Sequence, residues 1–224
     1  MGIDIHQLGL LCGLPRGKLL CLGYPDLVAT EPELRKLGVT EFKEVADKGI
    51  AGWHGWHGPM FDTDAILKEL GFAPTYADIT SARGLETIVD LNEPLPVDLQ
   101  GAFDTVFDGG TLEHCFNIGQ GFRNVALALK PDGYAVHCNP VSQVNHGFYC
   151  ISPTLYHDFY GEVKEHVLVW GSAAQRGGPA KVSAPYSRFT PPAEASNVVV
   201  CRYPVKGWPV QHKYAVNPKL GAAA

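Results

Sequence analysis

The sequence predicts an α/β fold in which a mostly parallel sheet carries helices on both faces. Three observations lead there. First, Phe103-Asp104-Thr105-Val106-Phe107-Asp108 reads as a largely buried strand that breaks at Gly109-Gly110 and runs at once into Glu113 and His114. Second, apolar strand-like runs alternate with helical periodicity in the order strand, helix, strand, strand, helix, strand. Third, the acids Asp78, Asp90 and Asp108 stand at the carboxyl ends of successive predicted strands, where open α/β sheets build their ligand crevices.

In chain order, residues 5–14 read as a short helix or turn carrying Leu8, Leu10 and Leu11, and Pro15-Arg16-Gly17-Lys18 reads as a turn. The apolar run Leu19-Leu20-Cys21-Leu22 is the first predicted strand. It exits through Gly23-Tyr24-Pro25-Asp26, which is either a ligand loop or an ordinary strand exit. Residues 31–49 are polar and helical in pieces, with a break near Gly38. A doubled triplet follows, Trp53-His54-Gly55-Trp56-His57-Gly58. Its indoles and glycines suit a loop packed on its own domain, a lid over a substrate ring, or a metal position that lacks a third ligand.

A helix starts at Asp62, whose carboxylate can cap the first turn. Ile66, Leu67 and Leu70 form its apolar face and Gly71 ends it. Residues 75–79 and 86–90 are strands that each end in or beside an acid, and the prolines of residues 92–96 fix the loop before the central strand. Ile118, Phe122, Val125, Ala126 and Leu129 recur at helical spacing, and Lys130-Pro131-Asp132-Gly133 is a stop. Residues 134–138 form the next strand, closed by Asn139-Pro140, and residues 145–149 a polar-aromatic loop. Ser152-Pro153 opens a helix with Ser as cap and Pro at the first helical position. Residues 167–170 and 197–201 are late strands, separated by a Gly/Pro/Ser-rich flexible excursion over residues 171–195.

At 224 residues the chain suits one domain, 1–224, with residues 27–61 as an insertion or lid after the first strand. The net charge of −5 is spread among interspersed residues of both signs, so a nucleic-acid partner is not expected. The apolar runs are too short to span a bilayer, and Met1-Gly2-Ile3-Asp4 lacks the basic lead-in of a secretory leader. The six cysteines include no Cys-x-x-Cys pair, which points to free thiols, a reducing compartment and a cytoplasmic protein. The oligomeric state stays open, a homo-oligomer included.

Residues 103–133 resemble class I S-adenosylmethionine-dependent methyltransferases. The strand ending in Asp108, the Leu112-Glu113-His114 turn, the helix, and the Leu129-Lys130-Pro131-Asp132-Gly133 turn follow that family's fourth strand, the helix after it and the turn before strand five. Asp108-Gly109-Gly110-Thr111-Leu112-Glu113-His114, with Phe116-Asn117, His146-Gly147-Phe148-Tyr149 and Ser152-Pro153, looks like a little-characterised branch of methyltransferase-like proteins. The resemblance spans residues 19–159 in order. It implies a Rossmann-like methyltransferase fold with a seven-stranded sheet, six strands parallel and the last inserted antiparallel.

The resemblance further implies S-adenosylmethionine as cofactor. Gly23 would begin the cofactor loop, with Tyr24 and Asp26 lining the methionine end. Asp78 and Ile79 would sit at the ribose, Asp90 and Leu91 at the adenine, and Asp108, Gly109 and Gly110 at the methionine moiety. Typical members carry an acid and several glycines after strand one. Here the loop holds one glycine, and Pro25 donates no amide.

The leading reading is methyl transfer to oxygen or nitrogen of a small-molecule acceptor. His114 and His146 are base candidates, each also readable as a structural histidine, and Tyr149 and Asn139 could orient the acceptor. The alternative is a non-catalytic scaffold or binding module with an eroded cofactor loop. A dinucleotide dehydrogenase and an α/β-type serine hydrolase are disfavoured by the lack of Gly-x-Gly-x-x-Gly and Gly-x-Ser-x-Gly. His114, His137, His146 and His157 show no recognised ligand spacing, so no metal site is expected.

Overall fold

The computed structural model describes residues 2–45, 56–170, 177–181 and 190–205. The chain opens with a three-residue strand, β1 (Gly2–Asp4), and the helix α1 (Ile5–Cys12). Asp4 and Gln7 start that helix reciprocally, each side chain accepting the other's backbone N–H at 2.9 Å. Then come β2 (Lys18–Leu22), β3 (Asp26–Val28), α2 (Glu31–Lys36) and α3 (Thr63–Glu69). Gly38, at φ 95°, follows α2 at the predicted break, and Asp62 caps α3 through the Ala65 amide at 3.2 Å. The strands β4 (Ala73–Asp78), β5 (Glu86–Ile88) and β6 (Phe103–Asp108) lead to α4 (Ile118–Ala128). The last elements are β7 (Leu129–Pro140), α5 (Pro153–Phe159), β8 (Tyr160–Trp170), β9 (Gly177–Lys181) and β10 (Ala195–Val205).

The main sheet has the order β5-β4-β2-β6-β7-β10-β8-β9, while β1 and β3 form a separate parallel pair. β5, β4, β2, β6 and β7 are mutually parallel, and β10 runs antiparallel to both β7 and β8. Seven strands therefore reproduce the expected Rossmann-like methyltransferase arrangement, and β9 adds an eighth at the outer edge, antiparallel to β8.

Both faces of the sheet are covered, because neighbouring strand residues point into different layers. Leu20, Leu22, Val106 and Ala135 pack with Phe122 and Val125 of α4 and Tyr156 and Phe159 of α5. Leu19, Cys21, Phe107 and Val136 pack with Leu8 and Leu11 of α1, Leu34 of α2, and Ile66 and Leu67 of α3. Burying one such side chain contributes about 1.5–3 kcal/mol, so the amphipathic faces and not helix propensity hold these short helices.

Several expectations are corrected. The helix stops at Ala128, ahead of Lys130-Pro131-Asp132-Gly133, but residues 130–133 are not a turn separate from the next strand. They lie within β7 as a register irregularity against β6, with Asp132 at φ 63°. The side chain of Ser152 makes no cap bond, and the Leu155 amide bonds to its carbonyl instead, at 3.0 Å. The excursion contains structure, since β9 lies inside it, while residues 171–176 and 182–189 lie outside the described residues. Residues 46–55, which include Trp53 and His54 of the Trp-His-Gly repeat, also lie outside them. Trp56 is described, and its indole N–H donates to the Pro59 carbonyl at 3.1 Å.

Candidate functional site

Connections from β2 run towards β4 and those from β6 towards β7, so the sheet switches direction between β2 and β6. That is where an open parallel sheet leaves a crevice at its carboxyl edge. Gly23, at φ 79°, turns the chain out of β2 there, its N–H held by the Ala77 carbonyl at 2.6 Å. Across the switch point the Thr111 hydroxyl donates to the Leu22 carbonyl at 2.6 Å, tying the loop after β6 to the end of β2. Gly109 and Gly110 are half-buried in that loop.

Asp78 ends β4 on the same edge, and its Oδ1 accepts from the Thr80 amide at 3.0 Å. Asp90 is exposed beyond β5. Hydrogen bonds from the Asn92 amide and then its side chain hold the Asp90 carboxyl below the usual carboxylate value. Ile79 is 64% exposed and Leu91 is buried. The parallel pairing thus brings Asp78, Asp90 and Gly109 to one edge.

Beside the Gly23 turn opens a cavity of about 330 Å³, lined by Tyr24, Asp26, Lys43, Asp62, Arg83 and Leu85 among others. Two ion pairs stand in it. Arg83 binds Asp26, and Lys43 lies 2.7 Å from Asp62. The Arg83 guanidinium also sits 5.4 Å from the centre of the Tyr24 ring. Burial pushes the Tyr24 phenol up to about 12. Burial also acts to raise Asp62, but the hydrogen bond from Lys43 and that from the Ala65 amide outweigh it and hold the carboxyl low. Of the expected cofactor residues, Tyr24 and Asp26 line this cavity. Asp78, Asp90 and Gly109 do not.

Asp108 is placed otherwise than a ligand-facing acid. It is fully buried. Oδ1 accepts from the amides of Thr111 and Leu112 at 3.0 and 3.3 Å. Oδ2 takes His137 Nδ1–H at 2.9 Å and the Asn139 amide at 2.8 Å. Burial alone would raise its pKa, but His137, then Asn139 and the Thr111 amide, hold it below the usual value. His137 Nε2 pairs with the Tyr160 hydroxyl at 2.6 Å, and Tyr156 O–H donates to Asn139 Oδ1 at 2.7 Å. Asn139 is therefore a core residue that spans two carboxylates, since it also donates to Glu113 Oε2 at 3.0 Å.

Glu113 links this core to the surface. It is 1% exposed, yet its Oε1 faces the exposed imidazole of His146, 3.6 Å from Nε2. That carboxylate holds His146 above the ordinary histidine value. The His114 ring lies beside His146, with centroids 5.1 Å apart. The loop carrying His146 is clamped to Glu113, whose carbonyl accepts from the Phe148 amide at 2.8 Å and the Tyr149 amide at 3.3 Å. A Cβ on Gly147 would come within 2.8 Å of that carbonyl, so glycine permits the approach. Tyr149 commits its hydroxyl to the Phe116 carbonyl at 2.7 Å. Phe116 and Phe148, 74% and 65% exposed, meet edge to face at 5.7 Å beside the two imidazoles.

The structure thus joins His114 and His146 and uses Tyr149 to brace their loop. Sequence reasoning missed Glu113, His137 and Arg83 as parts of these arrangements. Glu113 stood next to His114 in the motif, but its partners Asn139 and His146 lie 26 and 33 positions away, and no spacing rule announces them.

No family model matches the chain, and no curated protein does. Solved structures do. The CMeT domain of the citrinin polyketide synthase is similar over 88% of this chain and 51% of its own, at 15% identity and a TM-score of 0.47. A SAM-dependent methyltransferase from Archaeoglobus fulgidus is similar over 89% and 92%, at 12% identity and a TM-score of 0.47. The 1,6-didemethyltoxoflavin-N1-methyltransferase of Burkholderia thailandensis, with 1,6-didemethyltoxoflavin and S-adenosylhomocysteine bound, is similar over 88% and 75%, at 15% identity and a TM-score of 0.43. Methyltransferases recur among these structures. The chain spans about half the length of the citrinin domain's chain.

Proposed function

We propose that this chain is an S-adenosylmethionine-dependent methyltransferase acting on oxygen or nitrogen of a small molecule, within one domain that works in the reducing cytoplasm. The observation that carries the reading is the strand order, in which antiparallel β10 enters between β7 and β8 while the crevice opens between β2 and β6. It joins the resemblance of residues 103–133 to a concrete place for a cofactor.

The cavity beside Gly23 offers two cations and two carboxylates. That set is complementary to an α-amino acid zwitterion, whose carboxylate accepts from Arg83 or Lys43 and whose ammonium donates to Asp26 or Asp62. This is where the methionine end of the cofactor binds, and these side chains replace the amides that a glycine-rich loop would supply. Asp78 receives the ribose hydroxyls, with Ile79, Asp90 and Leu91 at the adenine. Asp108 spends its carboxylate inside the protein, so Asp108, Gly109 and Gly110 offer the cofactor only backbone. Of the lid segment 27–61, Lys43, Val45, Met60 and Phe61 line the cavity beside Gly23, while residues 46–55 lie outside the described residues.

The acceptor lies on the face formed by Phe116, Phe148, His114 and His146. The sulfonium makes methyl transfer feasible once the acceptor is held in line, and the acceptor loses its proton at this face.

The second reading, a non-catalytic scaffold, is favoured by the single glycine and Pro25 in the loop after β2. Calorimetric titration with S-adenosylmethionine and S-adenosylhomocysteine separates the two. Both should bind, and Asp78→Ala should weaken them by about one to two decades, the cost of leaving ribose hydroxyls unpaired. No heat and no thermal shift with either form would establish the scaffold reading instead.

A further inference from the structure

We infer that Glu113, His114 and His146 form a binding site for a divalent transition-metal ion of the zinc class. One ligand atom from each of the three lies within 4.8 Å of the other two. Ligand atoms about 2.1 Å from a tetrahedral ion stand roughly 3.4 Å apart. The Glu113–His146 approach of 3.6 Å already meets that spacing. The remaining adjustment falls on the His114 and His146 rings, both exposed.

The carboxylate is the group that makes this more than a surface coincidence. Glu113 is buried, and Asn139 donates to its Oε2, which leaves Oε1 directed at the imidazoles. A metal-binding carboxylate is oriented by such an outer hydrogen bond, and here the donor is itself fixed by Asp108 and Tyr156. The third ligand is delivered by a strained, tied loop. Asn145, directly before His146, holds φ 67°, and the Phe148 and Tyr149 amides pin the loop to Glu113. Two neutral imidazoles and one carboxylate are the donor set of open zinc sites, with further positions left for water or substrate.

The ion's location suggests its use, and that use rests on the methyltransferase reading, whereas the site itself does not. A hydroxyl acceptor bound there would be acidified and lose its proton to solvent water. Its oxygen would then form the O–CH₃ bond as the cofactor's S–CH₃ bond breaks and S-adenosylhomocysteine leaves. Phe116 and Phe148 would hold the apolar part of the acceptor, which favours an aromatic alcohol.

The test is calorimetric titration of the full chain with Zn²⁺, paired with visible spectra after Co²⁺ addition. One ion per chain is expected, with the d–d bands of a four- or five-coordinate N/O site. His114→Ala, His146→Ala and Glu113→Gln should each weaken binding by at least tenfold. The two histidine variants change exposed rings and should keep the wild-type melting temperature, so loss of binding in them cannot be assigned to unfolding. Wild-type protein that takes up no more metal than the His114→Ala/His146→Ala double variant would overturn the site. S-adenosylhomocysteine titration is run separately. Metal uptake without cofactor binding would keep the site and remove the methyltransferase reading, and the reverse result would do the opposite.

Discussion

Replacing Asp108 by Asn and by Ala should give two different losses, and the difference can be worked out from the four donors on its carboxylate. In the Asn variant the side-chain oxygen can stay with the Thr111 and Leu112 amides, so its NH₂ faces His137 and Asn139. His137 can adapt by carrying its proton on Nε2, where the Tyr160 oxygen 2.6 Å away accepts it, and by receiving the new NH₂ at Nδ1. Asn139 Nδ2 has no such freedom and loses one bond while keeping Glu113. One buried donor left unpaired costs about 1–3 kcal/mol. In the Ala variant all four donors lose their acceptor, and the cost should reach about 3–5 kcal/mol, as for a broken buried pair. Equilibrium urea unfolding, with the denaturant slope unchanged, measures both values. The ¹⁵N shifts of the His137 ring should also exchange their order in the Asn variant. Equal losses for Asn and Ala, or losses below about 0.5 kcal/mol in both, would refute the reasoning.

A second expectation concerns pH. His166 is buried, donates Nε2–H to Asn197 Oδ1 at 2.8 Å and accepts at Nδ1 from His157 at 3.1 Å. Asn197 spends its NH₂ on the Ile151 carbonyl, which fixes this arrangement. Burial pushes the His166 pKa down to about 4, against 6.5 for the free side chain. The unfolded chain therefore takes up the proton first. Stability is whole above about pH 6.5 and falls as pH drops towards 4, by up to about 3 kcal/mol. His166→Gln should flatten that part of the curve in urea titrations, and an unchanged slope would disprove it. Asn124 in α4 makes three bonds to the loop after Asp90, donating to the Leu91 and Glu93 carbonyls and accepting from the Leu95 amide, and it also accepts from Gln120 of its own helix. Asn124→Ala should cost about 1–3 kcal/mol and speed amide exchange at Leu95, which a hydrogen-exchange experiment reads directly.

Much of the scaffold was legible because its signals are local. The β6 strand is buried at every position but Asp104, and α4 repeats its apolar residues at helical spacing, so both are found where periodicity puts them. β1 is three residues long and, among the described residues, pairs with β3 alone, too little for any pattern to register. Gly23, Asp78 and Gly109 fell on one edge because parallel pairing is implied by alternating elements. The polar partnerships were not legible. An acid at a strand end reads as ligand-facing, yet Asp108 is claimed by His137 and Asn139, 29 and 31 positions later on the adjacent strand. The same holds for Asp26, whose partner Arg83 is 57 positions away. Register between strands decides such pairs, and single-sequence spacing carries no register.

The position of β10 has a consequence for how the chain reaches this state. Its eleven residues are the last described segment, yet they occupy the middle of the sheet and pair with β7 on one side and β8 on the other. Until they arrive, β7 and β8 each present an open hydrogen-bonding edge, and the two parts of the sheet have no common strand. During synthesis these edges exist for as long as residues 195–205 remain unavailable. That interval is the exposure in which a foreign strand could compete for β10's place. The closing step joins residues far apart in sequence, so loop-closure entropy slows it. Nonspecific association of nascent chains should therefore centre on β7 and β8, whichever molecule the finished crevice binds.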